Sequence, residues 1–447
     1  MTPVIRFASI LLFCLFGTQA QLPAQAAAPD SKTQNAELKF VVFLSRHGVR
    51  SPTGKPDKYN AYAAAPWPEW DVPPGYLTAH GYELMKLFGA YDRARLAAEG
   101  LFAPAGCADA EQVTVIADSD QRTRETGKAL AEGLFPGCTV AVQALKEGTD
   151  DPLFHPRKEG AGKEGAGQAD GALAAAAIAG RIGGDAKNLT EAYRPQLAAL
   201  DRLLAGCGKT PATHAARTSL FHLPAELEPG AGDHRAELRG PLATASTLSE
   251  NLLLEYTEGM SGTNLGWGCL DEAALREAMQ LHTAEADIAE RTPAVARMYA
   301  ANLLDRILKA MEQSFGGKPV MGAPGKPGDR ALFLVGHDTN LATVAGALGL
   351  DWIADGRRDD TPPGSALVFE LWRRGSGGEA FVRVRFTAQT LDQMRNAQNL
   401  SIENPPADVP VFVPGCSRQD MSCPWRAFAT VVEGAIDLRD AEGIKAH

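Results

Sequence analysis

The chain has no CxxC pair, no cluster of histidines with cysteines and no carboxylate-rich run, so no metal cofactor is expected. It also lacks an excess of positive charge. Its 44 lysines and arginines face 54 aspartates and glutamates, leaving a formal charge of −10. That balance argues against a nucleic acid or an anionic membrane as partner. Beyond the N-terminal region no run is apolar enough to span a bilayer, so a soluble mature protein is expected. There is no internal repeat.

What is present begins with a leader. Met1 to Arg6 carries one positive charge, Phe7 to Phe16 is apolar, and Ala24-Gln25-Ala26 fits an Ala-x-Ala cleavage site. Residues 1–26 therefore read as a secretory signal peptide, and the mature protein is expected to be periplasmic or secreted. Cys14 leaves with the leader. The remaining six cysteines suit disulfides in an oxidising compartment. Cys416 and Cys423 would close a short C-terminal loop, Cys107 and Cys138 flank a strand and a helix, and Cys207 with Cys269 follows by elimination. Six cysteines still allow about 15 connectivities.

The most informative stretch is Ser45-Arg46-His47-Gly48-Val49-Arg50, directly after the apolar run Phe40–Leu44. Arginine forks bind phosphate bidentately and keep their charge. An imidazole held between them can attack the phosphorus they bind. A second stretch has the same form: the apolar run Ala331–Val335 leads into Gly336-His337-Asp338-Thr339-Asn340, where Asp338 or Thr339 would cap the helix that follows. Asp118-Ser119-Asp120-Gln121-Arg122 follows a third apolar run and offers another arginine. In open α/β sheets, ligands sit beyond the carboxyl ends of the strands.

The rest of the pattern supplies such a sheet. Strands are expected over Phe40–Leu44, over Gln112–Ala117 and around Val140 and Val142, with helices over Leu77–Glu99 and Arg122–Leu134. Residues 158–171 read as a surface loop; Gly160-Ala-Gly-Lys163 within it lacks the Ser or Thr, and the preceding strand, of a phosphate loop. From Ala172 to about Met311 the pattern is mostly helical, with Thr292-Pro293 a good helix start. Residues 316–329 read as a connector. Ala366–Trp372 and Phe381–Phe386 read as an antiparallel hairpin at one edge. The expected fold class is α/β, a mostly parallel central sheet with helices on both faces, in segments 37–155 and 291–447. A mainly helical cap, 156–290, interrupts it.

With these residues in place, the chain resembles the histidine acid phosphatases, the larger branch of the histidine phosphatase superfamily, and in particular their bacterial periplasmic phytases and acid phosphatases. The likeness covers about residues 38 to 437 and rests on Arg46-His47-Gly48-x-Arg50-x-Pro52, His337-Asp338 and Arg122. Asp150-Asp-Pro-Leu-Phe154, Gly266-Trp-Gly268 and Thr361-Pro-Pro-Gly364 add to it. The resemblance implies His47 as nucleophile, Asp338 as proton donor, and Arg46, Arg50, Arg122 and His337 as phosphate ligands. Thr53, Asp118, Glu250 and His282 would line the substrate pocket. Gly54 and Tyr299 stand where the group's phytases carry a lysine and an arginine; Lys55 is one place along. A monomer acting on a small phosphate ester without cofactor is implied. Because Asp338 must be protonated in the first step, and an unperturbed aspartate titrates near ~3.9, an acidic optimum is expected. Two other readings compete: a mutase-like transferase of the smaller branch, against which the leader and the long helical insertion argue, and a periplasmic binding protein for a phosphorylated solute, which would have no use for an aspartate beside His337.

Overall fold

The computed structural model describes residues 36–155, 166–207, 217–230, 236–375 and 377–436. The expected signal peptide, 1–26, and Gly160–Lys163 lie outside these residues. The described residues form one compact unit. Its main strands are β1 (Ala36–Arg46), β2 (Val113–Ala117), β3 (Val142–Gln143), β4 (Ala331–Gly336), β5 (Ala366–Arg374), β6 (Ala380–Ala388), β7 (Ala407–Val411) and β8 (Cys423–Pro424). They form one sheet in the order β7-β6-β5-β1-β4-β2-β3, with β8 also paired to β6. The pairs β1–β4, β4–β2 and β2–β3 are parallel, and those on the other side of β1 are antiparallel. The expected hairpin is β5–β6. It is not the edge, because β7 pairs outside it.

The main helices are α1 (Ala79–Ala98), α2 (Gln121–Leu134), α3 (Ala166–Ile182), α4 (Arg194–Leu204), α5 (Pro241–Thr257), α6 (Glu272–Ala289), α7 (Pro293–Gly316), α8 (Asp338–Leu348) and α9 (Trp425–Ala435). Helix α3 begins inside the stretch read from sequence as a loop. Its alanine run, among the best helix-forming sequences, outweighs its glycines.

From Phe40 to Leu44 strand β1 is buried on both faces, which is why that run is wholly apolar. Phe40, Val42 and Leu44 pack with α7, α8 and α9, while Leu38, Val41 and Phe43 pack with α1 and α2. A register shift between Leu38 and Phe40 breaks the alternation. Phe43 stacks on Phe333, its partner across β4, at 4.4 Å between ring centroids. Burying each such side chain contributes roughly 1.5–3 kcal/mol.

Helices α3 to α6 enclose a further apolar cluster that includes Leu197, Leu200, Leu204, Leu248 and Leu252. Disulfides join Cys107 to Cys138, Cys207 to Cys269 and Cys416 to Cys423. Among the described residues no helix is long and apolar enough to cross a membrane.

Candidate active site

The register of the parallel strands brings three chain segments level. Arg46 pairs with Gly336, and Ala117 with Val335. The next residues, His47, His337 and Asp118, therefore leave the sheet together. The backbone bonds His47 N to Gly336 O (3.0 Å) and Asp118 N to Val335 O (2.9 Å) hold them there. Segments nearly three hundred positions apart thus meet at one end of the sheet.

The His47 ring is 2 % exposed. Its Nδ1 lies 2.9 Å from the Gly48 carbonyl oxygen. A carbonyl only accepts, so Nδ1 carries the proton and Nε2 keeps its lone pair. Burial, then the guanidiniums of Arg50, Arg122 and Arg46, push His47 well below the ordinary imidazole range. Arg50 Nε donates toward Nε2 at 3.3 Å.

Two carboxylates hold the arginines. Arg46 donates through Nη1 to the Thr361 carbonyl (2.6 Å) and through Nη2 to Glu250 Oε1, with Asp338 Oδ2 at 2.9 Å. Arg50 Nη2 shares Glu250 Oε1 at 3.2 Å. Burial alone would raise the Asp338 carboxyl, but Arg46, His282 and Arg50 outweigh it and hold the acid well below the usual carboxylate range. Glu250 is likewise held down, mainly by Arg46 against the effect of burial. Arg122 reaches in from α2, with Nη1 3.4 Å from the Gly75 carbonyl and Nη2 2.6 Å from Asp120. The buried Nε atoms of Arg46 and Arg122 have no hydrogen-bond partner within the protein.

His337 precedes α8 and is its N-cap residue; Asp338 is the first helical residue. The helix start is closed by Asn340, whose Oδ1 accepts from His337 N at 2.9 Å and whose Nδ2 donates to Phe154 O at 2.7 Å; Asp338, one of the two caps the sequence suggested, is not the N-cap residue but takes Thr339 N–H on Oδ1 at 2.9 Å. The His337 ring gives Nε2–H to Asp118 Oδ2 at 2.6 Å. The same oxygen takes His155 Nε2 at 2.8 Å. Burial pushes Asp118 up, yet these two imidazoles hold it well below the usual range. Burial pushes His337 down and Asp118 pulls it back only in part; Arg122 adds to the lowering.

His47, Asp338, Arg46, Arg50, Arg122 and His337 are thus gathered in one place. The four residues expected to line the substrate pocket are divided. Asp118 is wholly buried and faces the two histidines; Glu250 is 6 % exposed and faces Arg46 and Arg50. Both orient other side chains. His282 on α6 is half-buried beside Glu250 and Asp338, its Nε2 3.7 Å from Glu250 Oε2 and its Nδ1 3.1 Å from Ser246 Oγ. Thr53 alone is exposed, beside Gly75 and Arg122. His155 escaped the sequence reading. It directly follows the Asp150–Phe154 stretch but sits in no periodic element, so only its position relative to Asp118 reveals it. Two groups, Asp118–His155–His337 and Glu250–His282–Asp338, place metal-ligand atoms within 4.8 Å of one another; all six residues are engaged in the contacts above.

Guanidiniums around a neutral imidazole, with a carboxyl group alongside, fit a protein that handles phosphate monoesters. The sequence profile of the histidine phosphatase superfamily (branch 2) matches residues 37–387, and the chain belongs to that family. It is 37 % identical over 423 residues to phytase AppA of Escherichia coli, covering 93 % of this chain and 95 % of that one. It is 28 % identical over 421 residues to a glucose-1-phosphatase of Salmonella typhimurium, covering 93 % and 97 %. The structure of Hafnia alvei phytase with tartrate superimposes with a TM-score of 0.81 at 33 % identity, covering 91 % of this chain and 99 % of that one. The chain is a phosphoric monoester hydrolase of the histidine acid phosphatase type.

Proposed function

We propose that this protein is a periplasmic or secreted acid phosphatase that cleaves phytate, sugar phosphates or both by way of a phosphohistidine. The observation that carries the reading is the tautomer of His47. With Nδ1–H committed to the Gly48 carbonyl, the Nε2 lone pair is the only nucleophile in the ring. Arg46, Arg50 and Arg122 bind the phosphate oxygens and stabilise the charge that builds on them in the transition state. His47 Nε2 attacks phosphorus as the ester bond breaks, and Asp338 gives its proton to the departing alkoxide. Asp338 then takes a proton from the water that attacks the phosphohistidine.

Acidity enters twice. Asp338 must carry a proton, yet beside Arg46 it is held ionised. An incoming phosphate shares that arginine and adds negative charge, so the Asp338 pKa rises on binding. His337 gives Nε2–H to Asp118, so it can donate a second proton, from Nδ1 to a phosphate oxygen, only as the imidazolium. Both requirements favour low pH, and turnover is expected to fall from pH 5 to pH 8.

The test is chemical trapping. Incubation with labelled phosphate monoester and quenching in denaturant should yield an acid-labile, base-stable phosphoprotein. His47→Ala should yield none and lose turnover. A binding protein for the same solute would give no covalent adduct in either case.

A further inference from the structure

We propose that a cavity flanking the phosphate loop is a leaving-group subsite for an aromatic or apolar moiety; this rests on the phosphatase reading above. The cavity holds about 210 Å³ and is lined by Ser51, Pro52, Gly54, Tyr59, Trp67 and Trp70 among others. Ser51 and Pro52 directly follow Arg50, so phosphate loop and cavity share one wall. The far side of that wall is tied to the site as well. Ser51 Oγ donates to Pro73 O (2.6 Å), Gly75 N donates to Pro52 O (3.0 Å), and the Gly75 carbonyl faces Arg122 Nη1.

The aromatic walls are fixed before any ligand arrives. Trp67 is 4 % exposed, donates Nε1–H to Tyr59 O at 3.2 Å, and meets Trp267 edge-on at 4.9 Å. Trp267 holds a left-handed backbone, φ 59°, and donates its own Nε1–H to Pro66 O at 2.9 Å. Tyr59 closes the floor because residue 54 is glycine. Gly54 N donates to the Tyr59 hydroxyl at 3.0 Å, and a Cβ at position 54 would lie 2.4 Å from that oxygen.

The lining chemistry sets the ligand class. None of the residues lining the cavity is cationic, and one of them, Glu69, is acidic. A second phosphate would find no cationic partner among them; a flat apolar ring would find two indoles and a phenol. The volume suits one substituted ring, since a cavity of about 150 Å³ holds benzene.

The test uses the full chain and two esters, 2-naphthyl phosphate and glycerol 2-phosphate, each compared between wild type and variant. Trp70, half-buried at the rim, is changed to Ala. The expected result is a loss of about tenfold in kcat/KM for the naphthyl ester, mainly through KM, with glycerol 2-phosphate unchanged. Val72→Lys, also in the lining, should weaken the naphthyl ester in the same selective way. Equal losses on both esters, or none on either, in these two variants overturn the subsite. Failure of the wild type to hydrolyse either ester overturns the phosphatase reading instead.

Discussion

Asp118 serves two imidazoles with one oxygen, and the consequence belongs to the single residue. His155 is raised above the ordinary imidazole range, first by its hydrogen bond to Asp118, then by the fields of Asp118, Asp120 and Asp150 against the effect of burial. At acidic pH it is therefore charged, with its ring centroid 5.5 Å from that of His337, and it opposes protonation there. Arg122 opposes it too, while Asp118 and Asp338 favour it. His155→Asn removes one positive neighbour and leaves an amide that can still donate to Asp118. The alkaline limb of the kcat/KM profile is expected to move to higher pH; an unchanged profile would show that His155 is only structural. Asp338→Ala should cost about 10²–10⁴ in kcat for an alkyl ester, which needs a proton on its leaving oxygen. With p-nitrophenyl phosphate, whose leaving group departs as a stable anion, the same variant should lose far less. Steady-state rates on the two esters check this.

At the scale of elements, the loop that carries His47 and Arg50 is clamped by the start of α1. Val49 O accepts from Thr78 N at 3.1 Å, and Thr78 caps α1 by accepting from Gly81 N at 2.9 Å. The helix backbone approaches so closely that a Cβ on Gly81 would lie 2.1 Å from Val49 O. Gly81→Ala must therefore shift the loop that carries His47 and Arg50. The expected cost is about 1–3 kcal/mol of stability, as for other overpacked sites. The loss of kcat/KM should be larger than the stability change alone explains, because a displacement of about 1 Å can cost a hundredfold in rate. Thermal melts and kinetics on the same preparation separate the two effects.

At the scale of the molecule, pH acts on folding as well as on turnover. Glu255 on α5 is buried and accepts Gly266 N–H at 2.9 Å; burial pushes its carboxyl up to about 8. Below about pH 4.5 it is protonated in folded and unfolded chains alike. Above that, the unfolded chain ionises first, so this contribution to stability is lost steadily until about pH 8. At about 1.4 kcal/mol per pKa unit the loss amounts to a few kcal/mol. Glu255→Gln keeps an acceptor for Gly266 and cannot ionise. Melting temperatures of variant and wild type, close at pH 4, should diverge in the variant's favour toward pH 8.

Contiguous patterns were readable from the sequence alone. Arg46-His47-Gly48-x-Arg50 and His337-Asp338 each sit on one short stretch after an apolar run, so residue chemistry and strand periodicity point to the same atoms. The strands β1, β2 and β4 and the helices after them were readable because β-branched runs and helical stripes are local signals. The partners of the proposed catalytic groups were not. Glu250 reads, by resemblance, as a pocket residue, and only the packing of α5 shows that it meets Arg46 and Arg50. Asp118 reads as a pocket residue until burial places it between two histidines. His155, the Thr361 carbonyl and the aromatic cavity have no periodic signature, because their positions depend on contacts between segments far apart in the chain. Local order thus marked the candidate residues. Long-range packing, through burial and strand register, decided their ionisation, their aim and the space left for the leaving group.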